Sequence, residues 1–181
     1  MDIEKRLELV KLPPTEEIIT EQELRELLET KQHPIAYDGF ETSGLLHLGS
    51  GILRAIKLQD MLNAGFKFIF YIADWFAYLN NKMGGDLELI RKTGKYYIEG
   101  WKACGVDMDK VKIVWASELV KDHKYWETFL RISKEVTIRR VLRAVTIAGR
   151  KESEVRQPSL IVYPLMQTTD IFMLNNGRGV D

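Results

Sequence analysis

The sequence is poor in the residues that build covalent or metal-held frameworks. It has one cysteine, Cys104, so no intrachain disulfide can form, and a reducing, cytoplasmic setting is expected. Cys104 lies in "IEGWKACGV", near an expected helix end, where packing is its anticipated role. With 3 histidines and 1 cysteine, no metal-ligand cluster is visible and no protein-bound metal is expected. No apolar run approaches the roughly 20 residues of a membrane span. The start, "MDIEKRLELV", is charged and periodic, unlike a signal peptide. Net charge is absent too: Lys+Arg and Asp+Glu both number 26, so bulk charge implies no nucleic-acid partner. A local basic run exists in "RISKEVTIRRVLRAVTIAGRK", with Arg131, Lys134, Arg139, Arg140, Arg143, Arg150 and Lys151. It reads first as the solvated face of helices.

What is present is an alternation of helical and strand patterns. "DIEKRLELV" places Ile3, Leu7 and Val10 at helical spacing, and "KLPPT" ends that helix. Thr20 and Glu23 have the spacing of a capping box before "EQELRELLET". "IAYDGF" reads as a short strand. "SGILRAIKLQDMLNAG" reads as a helix with Ile52, Ala55, Ile56 and Leu62 on one side and Gly65 at its stop. "FKFIFYIAD" is nearly continuous in apolar, aromatic and β-branched residues, the pattern of a parallel strand covered on both faces. Strand, helix and strand with short links make a βαβ unit. Asp86 is placed to cap "LELIRKTGKYYIEGWKACG", "KVKIVWAS" is a third strand, and two helices follow in "DHKYWETFLRISKEV" and "TIRRVLRAVTIAGRK". Pro158 introduces a last helix, and "NNGRGVD" turns out of it. The expectation is an α/β fold built on a parallel sheet.

The segment "GLLHLGSG" stands at the turn after the first strand, where open α/β sheets bind ligands. A helix starting near Ser50 would direct backbone N–H groups into that crevice, and Gly44, Gly49 and Gly51 would let a phosphate approach the main chain. His47 would add a side-chain donor able to stabilise charge on departing pyrophosphate. The same residues also fit a plain tight turn carrying a surface histidine.

In combination, "AYDGFETSGLLHLGS", "YIADWFAYLNNKMGGDLELIR" and "IVYPLMQTTDIF" resemble tyrosyl-tRNA synthetases of the archaeal and eukaryotic type. Within that class I family, "GLLHLGS" is similar to the HIGH signature that cradles ATP. The resemblance implies a Rossmann-like, HUP-type class I synthetase core with helices on both faces, incomplete at its C-terminal end. It implies a helical segment over 1–34 and the catalytic core over 35–181. It also implies ATP-dependent activation of tyrosine to tyrosyl-adenylate and transfer to tRNA(Tyr), with Mg2+ accompanying ATP. By motif, Gly44, His47, Gly49 and Ser50 would bind ATP, with His47 and Ser50 catalytic. Tyr37 and Asp170 would meet the tyrosine hydroxyl, and Tyr163 and Gln167 its α-amino group. Positions 163, 167 and 170 have the i, i+4, i+7 spacing of one helix face.

Two positions depart from the family pattern. Ser50 stands where histidine is common, and its hydroxyl donates one hydrogen bond but carries no charge. Phe76 likewise replaces a common histidine near the substrate ring. No role is assigned to Asp38, and Asp74 is expected to be structural if anything. The family continues beyond the equivalent of Asp181 into a KMSKS-type loop and an anticodon-binding domain. The expectation is therefore a catalytic portion with weak activity alone. The resemblance also implies a homodimer joined near "TIRRVLRAVTIAGRK" to "IVYPLM". A non-catalytic paralogue that binds tyrosine or nucleotide is the alternative. A tryptophanyl-tRNA synthetase fits less well, because an indole offers only a donor to Tyr37 and Asp170.

Overall fold

Phe68, Ile69, Phe70, Tyr71 and Ile72 are all buried, so this strand has no solvent face. In the computed structural model, which describes residues 1–147 and 157–175, it is the middle strand of the sheet. The sheet is parallel with flanking helices, and its order is β1 (Ile35–Phe40), β2 (Lys67–Ile72), β3 (Val111–Trp115). The helices are α1 (Ile3–Lys11), α2 (Glu21–Thr30), α3 (Arg54–Asn63), α4 (Asp74–Leu79), α5 (Leu87–Ala103), α6 (Ala116–Leu119), α7 (His123–Glu135), α8 (Ile138–Ile147) and α9 (Pro158–Asn175). The expected continuation of α8 past Ile147, with Arg150 and Lys151, lies outside the described residues, as does the turn beyond Asn175.

The chain divides into two compact units. One comprises Met1–Phe40, Gly44–Tyr71 and Arg91–Ile113; the other comprises Glu41–Ser43, Ile72–Ile90 and the chain from Val114.

The first unit is organised by aromatic packing. Trp101 of α5 stacks on Phe70 with centroids 3.9 Å apart and meets Phe40 at 4.4 Å. Phe40 and Phe70 meet edge to face at 5.6 Å. Such contacts add about 0.5–1.5 kcal/mol each beyond area burial. A second cluster joins Leu7, Val10 and Leu28 of the N-terminal helices to Ala64 and Phe66. Arg6 is buried beside it. Its guanidinium donates to the carbonyls of Ala64 at 2.7 Å, Leu28 at 2.9 Å, Gln32 at 3.0 Å and Lys31 at 3.5 Å. One side chain thus satisfies carbonyls left over at two helix ends. Lys57 does the same for α1, donating to the carbonyls of Leu9, Val10 and Leu12 at 2.7–3.0 Å. Gly65 stops α3 at φ +89°, a left-handed conformation that a side chain would strain.

Three local expectations are corrected here. The Thr20 hydroxyl does not cap the α2 backbone but donates to the Glu23 carboxylate at 2.6 Å. In a capping box the Thr oxygen would accept a backbone N–H; here its proton is instead given to the charged carboxylate. Ile52 and Ile56 are exposed, whereas Ala55 of the same expected set is buried, together with Leu58. A π-helical stretch over Gly49–Leu53, where Leu53 N–H bonds the Leu48 carbonyl at 3.0 Å, sets Ile52 out of the α-helical register of α3. Cys104 is exposed rather than packed, because it follows the last turn of α5.

In the second unit, α9 packs against α7, α8 and α4. It holds Met166, Thr169, Asp170, Met173 and Leu174 buried. Pro164 removes one backbone donor within α9, yet the helix continues past it. Asp74, fully buried, accepts the Ser117 N–H at 3.0 Å at the start of α6. Asp122 caps α7 through the Lys124 N–H at 2.9 Å, and Asp86 caps α5 through the Leu89 N–H at 3.0 Å. The basic side chains Arg131, Lys134, Arg139, Arg140 and Arg143 are exposed, as a solvated face requires.

Candidate active site

The glycine turn follows β1 in the first unit and is wound on itself. Ser50 Oγ accepts the His47 N–H at 3.1 Å, and the His47 carbonyl accepts the Gly51 N–H at 2.7 Å. His47 Nδ1 accepts the Gly49 N–H at 3.2 Å. That bond fixes the neutral ring as the Nε2–H tautomer and leaves Nε2 as an outward donor on an exposed side chain. A Cβ at Gly49 would approach His47 Cε1 to 3.3 Å, so the glycine lets the imidazole fold back over the turn. The turn is tied to α5 by the Trp101 indole N–H, which donates to the Ser50 carbonyl at 2.9 Å. At Gly100, a Cβ would lie 2.1 Å from Leu46 Cδ1, so the missing side chain admits Leu46. His47, Gly49 and Ser50 therefore act as one hydrogen-bonded element, with Gly44 at its start.

Asp38, on β1, has a structural partner: its carboxylate pairs with Arg54, whose guanidinium lies 5.5 Å from the Phe40 ring centroid. Burial pushes the Asp38 carboxyl above its ordinary range, against the opposing pull of Arg54. Tyr37, on the same strand, is 39% exposed.

In the second unit, α9 carries Tyr163, Gln167 and Asp170. Asp170 is buried at 2% exposure. Its Oδ1 accepts the hydroxyl of the fully buried Tyr125 of α7 at 3.0 Å. Burial, then the charge of Asp170, pushes the Tyr125 phenol well above its usual range, so the hydroxyl remains protonated and donates. Tyr163 donates its hydroxyl to Glu41 Oε1 at 2.6 Å, and Asn80 Nδ2 donates to the same oxygen at 2.6 Å. Lys82 lies 3.9 Å from Glu41 Oε2. Phe76 is buried and meets the Tyr163 ring edge to face at 4.7 Å. Gln167 is exposed.

Two polar residues of this unit were not selected from the sequence. Tyr125 sits among other aromatics in "HKYWETF" with no spacing that marks it. Glu41 follows β1 in "GFETSG", and its proximity to the glycine turn was the available signal. A cavity of about 520 Å³ lined by Tyr78, Asn80, Asn81, Gly84, Gly85 and Ser159 contains none of the expected site residues. Among the described residues, no three His, Cys, Asp or Glu side chains gather as metal ligands, and no helix is long and apolar enough to cross a membrane.

Comparison with known proteins identifies the family. Residues 29–177 match the model of the family described as tRNA synthetases class I (W and Y). The chain is 46% identical over 175 residues to tyrosine–tRNA ligase 1, cytoplasmic, of Arabidopsis thaliana, covering 96% of this chain and 45% of that protein. The crystal structure of tyrosyl-tRNA synthetase complexed with L-tyrosine from Pyrococcus horikoshii superposes with a TM-score of 0.86 at 41% identity, covering 95% of this chain and 48% of that one. Leishmania major tyrosyl-tRNA synthetase in complex with tyrosinol gives 0.88 at 44%, covering 96% and 26%. The chain thus spans about half the length or less of these relatives. A parallel α/β core, a glycine-and-histidine turn after its first strand, and a family match over most of its length establish that the chain belongs to the class I tRNA synthetases of the tryptophan and tyrosine group.

Proposed function

We propose that this chain is the catalytic portion of a tyrosine–tRNA ligase. ATP is bound at Gly44, His47, Gly49 and Ser50, and tyrosine by Tyr37, Tyr163, Gln167 and Asp170. A carboxylate oxygen of tyrosine attacks the α-phosphorus of ATP, the bond to the β-phosphate bridge breaks, and pyrophosphate leaves with the electron pair. Tyrosyl-adenylate results with no covalent enzyme intermediate, and the tyrosyl group then passes to tRNA(Tyr). The protein works by positioning and electrostatics. His47 Nε2–H and the Ser50 hydroxyl are the donors proposed for phosphate oxygens. Mg2+ would accompany ATP as part of the substrate and would supply neutralisation of phosphate charge. The complete enzyme is proposed to be a cytoplasmic homodimer, in keeping with its Arabidopsis relative's cytoplasmic location.

The observation that carries this reading is Asp170, a buried carboxylate and the one charged residue of α9. A buried carboxylate is costly unless donors meet it. Tyr125 supplies one, and a phenol substrate supplies another, whereas phenylalanine brings none. Beside Tyr163, Glu41 adds a carboxylate suited to an ammonium group. The test is isotope exchange between pyrophosphate and ATP in the complete enzyme. Exchange should require tyrosine, ignore tryptophan, and fall at least about a hundredfold in His47→Ala. Exchange that proceeds equally with tryptophan, or survives the His47 change, contradicts the reading.

A further inference from the structure

We infer that the cavity beside the turn linking α4 to α5 binds a nucleobase. It lies wholly within the second unit, between residues 78–85 and the first turn of α9, and holds about 520 Å³. That size falls within the roughly 300–1,000 Å³ of small-molecule sites. None of the residues assigned above to ATP or tyrosine lines it, so it is a second site rather than an extension of the first.

The wall selects a ligand class by its chemistry. Its described residues carry no charged side chain, so neither a phosphate nor a metal ion would meet a counter-charge there. Lys82, in the same turn, is directed to Glu41 Oε2 at 3.9 Å instead. The wall offers one aromatic ring, that of the half-exposed Tyr78, with the amide of Asn81 and the hydroxyl of Ser159. An amide presents donor and acceptor side by side, as the edge of a base does. A tyrosine ring supplies a face on which any base stacks. A flat, uncharged ligand edged with donors and acceptors suits all three. In a family of tRNA synthetases a nucleobase is such a ligand.

The turn is built to hold this wall. Asn81 and Met83 both adopt left-handed backbone conformations, at φ 53° and 52°, which cost free energy outside glycine. Gly84 and Gly85 follow at φ +71° and +74°. A Cβ at Gly85 would come within 2.9 Å of Asn81 Oδ1, so glycine there leaves the amide its place. Asn80 Nδ2 donates to Glu41 Oε1 at 2.6 Å, which fixes the adjoining part of the wall. In the same unit α8, with exposed Arg139, Arg140 and Arg143, packs against α9 and gives an RNA strand phosphate partners.

A base can arrive on a free nucleoside or as an unpaired residue of an RNA strand. The test titrates the isotope-labelled chain with adenosine, guanosine, cytidine and uridine, and follows the backbone amides of Gly84 and Gly85 by NMR. At least one nucleoside should move them saturably. The amides of Gly49 and Gly51 report separately on the glycine turn. Tyr78→Ala should weaken this binding roughly tenfold, whereas Tyr78→Phe, which keeps the ring, should hold it within about twofold. Asn81→Gly suits the left-handed backbone while removing the amide, and should weaken binding about threefold or more. Single-stranded tetranucleotides binding at least about tenfold tighter than the best nucleoside, with the gain lost as salt rises, would assign the pocket to an RNA residue. Equal affinity would assign it to a free nucleoside. The inference fails if no nucleoside moves Gly84 and Gly85, or if binding there is unchanged in both Tyr78→Ala and Asn81→Gly. It fails equally if glucose or phenol moves the two amides at the same concentrations as the nucleosides.

Discussion

The indole N–H of Trp101 donates to the carbonyl oxygen of Ser50 at 2.9 Å, joining the middle of the glycine turn to the helix that covers Phe70. The turn is therefore anchored through the core. Trp101→Phe preserves an aromatic ring on Phe70 and removes the donor. It should cost about 1–2 kcal/mol in urea denaturation, since the Ser50 carbonyl loses a partner. ATP affinity in the complete enzyme should fall while tyrosine affinity is kept. Equal losses for both ligands would show that the anchor does not act through the turn.

Arg6 is the stability counterpart. Its guanidinium meets carbonyls of Leu28, Lys31, Gln32 and Ala64, so removal takes this donor from two buried and two part-buried carbonyls at once. Arg6→Met should lower unfolding free energy by about 3 kcal/mol, read from the denaturation midpoint. Arg6→Lys should recover little, because an ammonium lacks the planar fork that spans two helix ends. Full recovery by lysine would contradict the assignment.

Asp38 gives a pH-dependent signature. Burial raises its folded carboxyl above the ordinary value of 3.8, despite Arg54. Between those two values the folded state binds more protons than the unfolded state, so this contribution to stability is present below 3.8 and is lost as pH rises through the raised folded value. Compared with Asp38→Asn across that window, the unaltered protein should lose relative stability with rising pH. A difference between the two proteins that stays flat, or runs the other way, would contradict it.

Gly65 offers a backbone test. With φ at +89°, Gly65→Ala should cost about 1–2 kcal/mol without touching either ligand site. An unchanged denaturation midpoint would mean that the turn relaxes.

Much of this was readable before any coordinates. The apolar continuity of "FKFIFYI" identified β2 because a strand covered on both faces has no polar register to keep. Asp86 marked the start of α5 because its carboxylate is the side-chain acceptor that a helix start needs. The spacing of 163, 167 and 170 placed those residues on α9, although their burial differs: Asp170 is buried and Gln167 exposed. Other features depend on geometry that spacing does not encode. The π-helical winding at Gly49–Leu53 takes Ile52 out of the register of α3, which buries Ala55 and Leu58. The short helices α4 and α6 carry too few turns to show a period. Tyr125 and Glu41 acquire their meaning from partners 45 and 122 positions away, a separation that no local pattern reports.

The central claim is that a buried carboxylate on α9 selects a phenol. Its most direct test compares equilibrium binding of tyrosine and phenylalanine to the chain and to Asp170→Ala. The unaltered chain should prefer tyrosine by at least roughly a hundredfold, and the variant should bind the two amino acids within a few fold of each other. A variant that still discriminates as its parent does would contradict the account.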